Sequence, residues 1–307
     1  MPETILPKKP SSPSALPPTL ILGAGRLGTA LAQSFLSLKQ PLLGLWNRNI
    51  PQHRHPDLPY DIGPTPTQKL EQAELVLLTV SDAAIPEVAM HLLSQQAFQP
   101  GQVVLHCSGR CSSNVLQPLQ DLGCEIGRMH PLQPVTQAPP QGALFQGAAV
   151  GVEGTTKAHQ LATEVAQQLG GQAFSLQGSN PALYHAAAVM ASNYVVTLAH
   201  IATQLMRASG VIAPPLPLLL PLMKLAVNNL EQQGLPEALT GPISRGDLST
   251  LEEHLNAFQK EAPELTNLYV QLAEATLPLA QAQEHNNNDD PTWDTIQEAL
   301  LHYRSPH

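Results

Sequence analysis

The segment Leu20-Ile21-Leu22-Gly23-Ala24-Gly25-Arg26-Leu27-Gly28-Thr29-Ala30 constrains this chain more than any other stretch. An apolar run suited to a buried strand enters G-x-G-x-x-G and leaves as an amphipathic helix. Each glycine answers a different steric demand. Gly23 permits the tight turn, Gly25 carries no side chain where a diphosphate approaches, and Gly28 lets the helix lie close on the strand. The first N–H groups of that helix, at Arg26, Leu27 and Gly28, face the phosphates with the helix dipole behind them. A second buried-strand pattern, Leu42-Leu43-Gly44-Leu45-Trp46, follows at the spacing of a βαβ unit.

That second strand ends in Asn47-Arg48-Asn49. A site for NAD places Asp or Glu here to bind the ribose 2′-hydroxyl, and this chain has no acid at the tip. The Arg48 guanidinium suits a 2′-phosphate, so NADP is expected over NAD, with Asn47 beside it. The competing reading makes Arg48 a solvated loop charge.

Composition narrows the class. Of 307 residues, 13% are charged, about half the usual share, and 30 are proline. The net charge is −9 and no basic run extends beyond Lys8-Lys9, which argues against nucleic acid and anionic membrane as partners. The cysteines are Cys107, Cys111 and Cys124; an odd number without a CxxC pair reads as free thiols in a reducing cytosol, with no metal site. Met1 to Pro18 is Pro/Ser-rich and has no apolar core of a signal peptide, so a cytoplasmic protein is expected. Leu183 to Met206 lacks Asp, Glu, Lys and Arg but contains His185, Ser192, Asn193, His200 and Gln204. It reads as a helix buried on most sides inside protein, not as a bilayer span.

Residues 1–18 are expected to be a disordered tail. From Thr19, apolar runs alternate with helical patterns: Glu74–Val80 as a third strand, then a helix capped by Ser81-Asp82 running to about Leu93. Gln102–His106 reads as a fourth strand, and Cys124–Gly127 begins a fifth. Ala148–Val152, a helix over 156–169 and a last strand over Gln172–Leu176 complete the pattern. Such alternation predicts an α/β doubly wound parallel sheet, a dinucleotide-binding domain over 19–178. An all-helical domain for substrate and dimerisation is expected over 179–283. It holds one long helix over Pro181–Ser209, then helices over 218–232, 249–260 and 263–281. Ser249-x-x-Glu252 is a capping-box pattern, and His254 is expected to face inward as a structural residue. Residues 284–307 read as a polar tail within which Trp293–Tyr303 has the pattern of a short helix.

Several motifs together resemble one family. They are Gly23–Gly28, Val80-Ser81-Asp82-x-x-Ile85, His106-Cys107-Ser108-Gly109, Met129-His130-Pro131-Leu132-Gln133, Tyr184–Ala188 with Ser192-Asn193, and Ala238–Asp247. The chain resembles the bacterial Rossmann-like proteins that carry the C-terminal domain of unknown function 2520. These are relatives of pyrroline-5-carboxylate reductase, ketopantoate reductase and 6-phosphogluconate dehydrogenase. The resemblance spans nearly all of 19–280 and implies the fold and the dinucleotide. It also implies that Val80, Ser81 and Asp82 lie along the cofactor and that Ser108 and Gly109 approach the nicotinamide. Ser81 stands where the family often has proline. Relatives dimerise through the helical domain, which implies a homodimer here.

The substrate side is read from the helices. His185 and Asn193 are eight residues apart, which on one continuous helix places them about 80° apart and two turns along. Related dehydrogenases use a Lys and an Asn on the equivalent helix to orient and protonate a carbonyl oxygen. This chain has no lysine there, so His185 is the candidate acid and Asn193 its companion. The competing reading makes His185 a core histidine bonded to a carbonyl. Thr240 and Arg245 sit on a glycine-rich loop whose cation suits a substrate carboxylate or phosphate, or else pairs with Asp247. His130 closes the fifth strand as a further substrate contact or a turn residue. Ser108 has two readings as well: a hydrogen bond to substrate or carboxamide, or turn chemistry. Three functions fit: an NADP-dependent oxidoreductase acting on a small anionic carbonyl or imine, an NADP-binding sensor or scaffold without turnover, or a dehydrogenase-derived interaction protein whose helices serve only dimerisation.

Overall fold

The structure is a computed structural model that describes residues 15–52, 54–135, 142–283 and 293–303. The greater part of the expected N-terminal tail therefore lies outside the described residues. Contacts divide the chain into two units, 1–192 and 193–307. The sheet-bearing unit thus includes residues 179–192, which the sequence pattern assigns to the helical domain.

In the first unit, eight strands form one sheet in the order β3-β2-β1-β4-β5-β6-β7-β8. They are β1 (Thr19–Leu22), β2 (Leu42–Asn47), β3 (Tyr60–Ile62), β4 (Leu75–Leu78), β5 (Val103–His106), β6 (Glu125–Pro131), β7 (Ala149–Gly154) and β8 (Gln172–Ser175). Helices α1 (Arg26–Ser37), α2 (Thr67–Gln72), α3 (Ala84–Ser94), α4 (Gln117–Asp121), α5 (Thr156–Gln168) and α6 (Pro181–Ala191) complete it. The central strands β1, β4 and β5 are buried at every position. Their side chains alternate between two cores, as the pleat requires. Ile21, Leu75, Leu77 and Leu105 join Leu31 and Phe35 of α1 and Ala158, Ala162 and Val165 of α5. Leu20, Leu22, Val76 and Val104 join Ile85 and Leu92 of α3 and Leu119 of α4. Helices thus cover both faces, which is why these strands read as continuous apolar runs. Emptying one buried aromatic, Phe35→Ala, is expected to cost about 3–5 kcal/mol.

Four expectations for this unit need correction. β3 was not foreseen: it is three residues long and follows a proline-punctuated segment with no periodic signal. β6 and β7 pair antiparallel, with Arg128 opposite Glu153 and Met129 opposite Val152, whereas the other neighbours run parallel. No helix forms among the described residues between them, and without a crossover helix the chain returns in the opposite direction. The expected side-chain cap of α3 by Ser81-Asp82 is absent; Ala84 N–H donates to the Ser81 carbonyl instead. The expected long helix is interrupted at Ser192 (φ −126°, ψ −68°), whose hydroxyl donates to the Ala188 carbonyl. A serine that bonds back to the preceding turn competes with the helical ladder.

The second unit is helical: α7 (Asn193–Ala208), α8 (Pro215–Gln233), α9 (Leu248–Glu261), α10 (Thr266–Ala282) and α11 (Trp293–Tyr303). Leu251 and Leu255 of α9 meet Val270, Ala273 and Leu277 of α10 and Ile296 and Leu300 of α11 in a small core. The i, i+4 pair Ile296/Leu300 is what draws Trp293–Tyr303 out of an otherwise polar tail. Asp247, not a Ser249/Glu252 box, caps α9: its carboxylate accepts from Thr250 N and Oγ1 at 3.0 and 2.7 Å. His254 is exposed, contrary to expectation, and bonds the Tyr269 hydroxyl at 2.8 Å. The apolar stretch 183–206 is not buried either. Neither α6 nor α7 holds a fully buried residue within the single chain.

Candidate functional site

The first unit gathers its chemistry at the carboxyl ends of β1, β2, β4, β5 and β6, where strand order reverses between β1 and β4. The glycine loop is held from three sides. Gly23 N–H donates to the Trp46 carbonyl (2.8 Å), and Thr79 Oγ1 donates to the Gly23 carbonyl (2.8 Å). Ala24 N–H donates to Asn47 Oδ1 (3.1 Å). Gly23 has φ +116°, a region that disfavours any side chain, and a Cβ on Gly28 would collide with the Gly23 carbonyl oxygen. Gly25 differs: a Cβ there would meet nothing within 4 Å. α1 begins without a side-chain cap, with Gly25 and Arg26 exposed and Leu27 half-buried. Open space above an uncapped helix start fits a dinucleotide diphosphate.

Asn47 is a brace, since its amide joins Ala24 N and the Asn49 carbonyl. Arg48 reaches Glu87 of α3 at 3.0 Å, with the two side chains 50% and 65% exposed. A pair so open contributes about 0–1 kcal/mol and yields readily to a phosphate. After β4, Val80 is half-buried and Ser81 exposed, and Asp82 stands 3.6 Å from Arg110 Nε.

The loop after β5 is built around two buried groups. His106 bonds the Ser112 carbonyl through Nε2 (3.1 Å) and accepts from Ser108 N–H at Nδ1 (3.2 Å). Burial lowers its pKa to about 4, so it is a neutral strut. Ser108 is buried, and its Oγ accepts from Arg110 N and Cys111 N at 3.2 and 3.1 Å, which is the turn role. Beneath the loop, Arg128 is wholly buried and pairs with Glu153 at 2.6 Å. Arg128 Nη1 donates to the carbonyls of Gly109 and Cys111, and Nη2 donates to Ser179 Oγ. Glu153 Oε1 accepts from Ser113 N and Oγ. One ion pair thereby ties β6, β7, the post-β5 loop and the entrance to α6.

Above it, His130 of β6 and His185 of α6 flank Gly109. A Cβ on Gly109 would lie 2.7 Å from His130 Cε1 and Nε2 and 3.0 Å from His185 Cδ2. The imidazole centroids are 6.5 Å apart. Tyr184 Oη lies 2.8 Å from His130 Nδ1. The structure thus brings His130, His185 and Gly109 together. Asn193 lies beyond the break at Ser192, so the continuous helical period that set it on a face with His185 does not run through. Thr240 and Arg245 are exposed on the loop over 240–246 of the second unit. Asp247 spends its carboxylate on Thr250, not on an ion pair with Arg245.

Sequence reasoning missed Arg128, Glu153, Tyr184 and Glu87. Arg128 left a signal: a cation within the apolar strand Ile126–Met129 needs a buried partner. Tyr184 stands in one of the family motifs, but its pairing, like that of Glu87, left no signal, because the partners lie 54 and 39 residues away.

The arrangement is that of a Rossmann-like protein, and residues 13–131 match the family model of the Rossmann-like domain. Residues 148–276 match DUF2520, a domain of unknown function, so the chain carries both. The fold is also that of several solved structures. Protein TM1727 from Thermotoga maritima is 25% identical, with 87% of this chain and 100% of that chain covered (TM-score 0.68). Plasmodium falciparum pyrroline carboxylate reductase with NADP bound is 10% identical, with 87% and 97% covered (TM-score 0.55). A reductive aminase from Aspergillus terreus in complex with NADPH4, cyclohexanone and allyl amine is 19% identical, with 94% and 100% covered (TM-score 0.55). Comparison with curated proteins gives no match.

Proposed function

We propose that this protein is an NADP-dependent reductase or dehydrogenase acting on a small anionic substrate at a carbonyl or imine carbon. The convergence of His130 and His185 on Gly109, at the same sheet edge as the glycine loop, carries the reading. When bound, NADPH supplies the hydride. The α1 amides at Arg26, Leu27 and Gly28 hold its diphosphate, and Arg48 exchanges Glu87 for the 2′-phosphate. Val80, Ser81 and Asp82 flank the bound nucleotide. His185 delivers the proton to the heteroatom that receives the bonding pair, with Asn193 as a second polar contact. Thr240 and Arg245 grip the substrate's anionic group. Fold likeness to a pyrroline carboxylate reductase with NADP bound and to a reductive aminase in complex with NADPH4 supports this assignment as analogy.

A homodimer in the reducing cytosol is part of the proposal. Val196 and Leu222 are 71% and 65% exposed, and α8 also exposes Leu218, Leu225, Val227 and Leu230. An apolar surface of this extent on a charged-poor chain calls for cover by protein. The test is NADPH oxidation, followed at 340 nm, against a panel of 2-oxo acids, keto-phosphates and imines. Turnover of an anionic member is expected; tight NADPH binding with no turnover across the panel would replace the enzyme by a nucleotide sensor.

A further inference from the structure

We propose that Tyr184 fixes His130 as its Nε2–H tautomer, so that His130 offers the substrate a neutral hydrogen-bond donor beside Gly109. The role as substrate contact rests on the reductase reading; the tautomer does not. Tyr184 Oη is 2.8 Å from His130 Nδ1, and the rings meet edge to face at 83°. The phenol is itself pinned. The Arg128 guanidinium lies 5.5 Å over its ring, the Phe174 ring centre is 6.3 Å away, and Gly151 leaves room where a Cβ would come within 3.0 Å of Oη.

The direction of the bond follows from the partners available once both groups are neutral. Burial raises the Tyr184 pKa, so the phenol keeps its hydrogen. Burial, with His185, Arg128 and His106 adding to it and Asp82 opposing it, lowers His130 to about 4. A neutral imidazole has one acceptor nitrogen. The distance between Tyr184 Oη and His130 Nδ1 fits either direction, but only with the phenol donating does its hydrogen meet a protein acceptor among the described residues, and that acceptor is Nδ1. The His130 proton therefore sits on Nε2, the nitrogen that borders Gly109.

The substrate class narrows in consequence. A neutral N–H donor pairs with a lone pair, as on a carbonyl oxygen or a neutral imine nitrogen. An iminium nitrogen has none. The reacting group is thus a carbonyl or uncharged imine, not a preformed iminium. Tyr184 acts through His130 and is a positioning residue.

The test is long-range proton–nitrogen NMR of histidine-labelled protein, with the His130 signals assigned by their loss in His130→Asn. The wild type is expected to show Nδ1 unprotonated and Nε2 protonated, unchanged between pH 7.5 and 5.5. Tyr184→Phe is expected to give mixed tautomers, to bind NADPH within twofold of wild type, and to lower kcat at least tenfold on a panel substrate. A wild-type Nδ1–H tautomer overturns the proposal, and so does an unaltered pattern in Tyr184→Phe. The wild-type spectrum decides even if the variant fails to fold. Failure of the substrate panel would remove the reductase reading while leaving the tautomer result standing.

Discussion

The sheet-bearing unit and helices α7 and α8 are built on opposite principles. In the first, central strands are sealed on both faces and even a buried arginine finds its carboxylate on the neighbouring strand, Arg128 pairing with Glu153 at 2.6 Å. In α7 and α8, leucine and valine face outward, and Pro215 alone is fully buried. One region completes its own core; the other carries core composition without a core. Apolar content therefore says that a surface will be covered, not whether the same chain covers it.

The comparison can be broken first at its most buried point. Glu153→Ala leaves Arg128 charged without its partner and is expected to cost about 3–5 kcal/mol by denaturant unfolding. A loss near zero would mean the first unit is far less sealed than its packing implies. The next lever is pH. Unfolded histidines bind a proton near 6.5, whereas His106 and His130 in the folded protein wait until about 4. Stability from this source is complete above pH 6.5 and lost as pH falls toward 4, by about 3 kcal/mol for His106. Thermal melts across that range check it, and His106→Asn should flatten the curve if the variant folds.

A smaller effect is expected on the exposed side. Leu222→Glu should weaken self-association about 100-fold, or about 2.7 kcal/mol, in sedimentation velocity. The first unit should keep its NADPH affinity. A monomeric wild type that partitions into vesicles would instead assign the apolar helices to a bilayer. Smallest is the nucleotide test. Arg48→Ala should weaken NADPH about tenfold and NADH hardly at all, by competitive titration; equal losses would return Arg48 to a loop charge held by Glu87.

Much of the first unit was legible because its signals are local. The glycine loop, the apolar runs of β1, β4 and β5 and the amphipathic α5 each declare themselves within a dozen residues. β3 escaped because three residues carry no period. The break at Ser192 escaped because an Ala/Val-rich pattern continues through it. At the site, His130 and His185 were legible as residue types, but their meeting at Gly109 depends on β5, β6 and α6 arriving at one edge.

By itself, the order of residues determined a strand–glycine-loop–helix unit and the arginine at the tip of the second strand. These are matters of steric freedom and short-range periodicity. Only the tertiary structure decided that Glu87 occupies Arg48, that Glu153 neutralises Arg128 and that a phenol holds His130. Such pairings join groups 25 to 54 residues apart. Their energies depend on burial and direction, which no local stretch of chain contains.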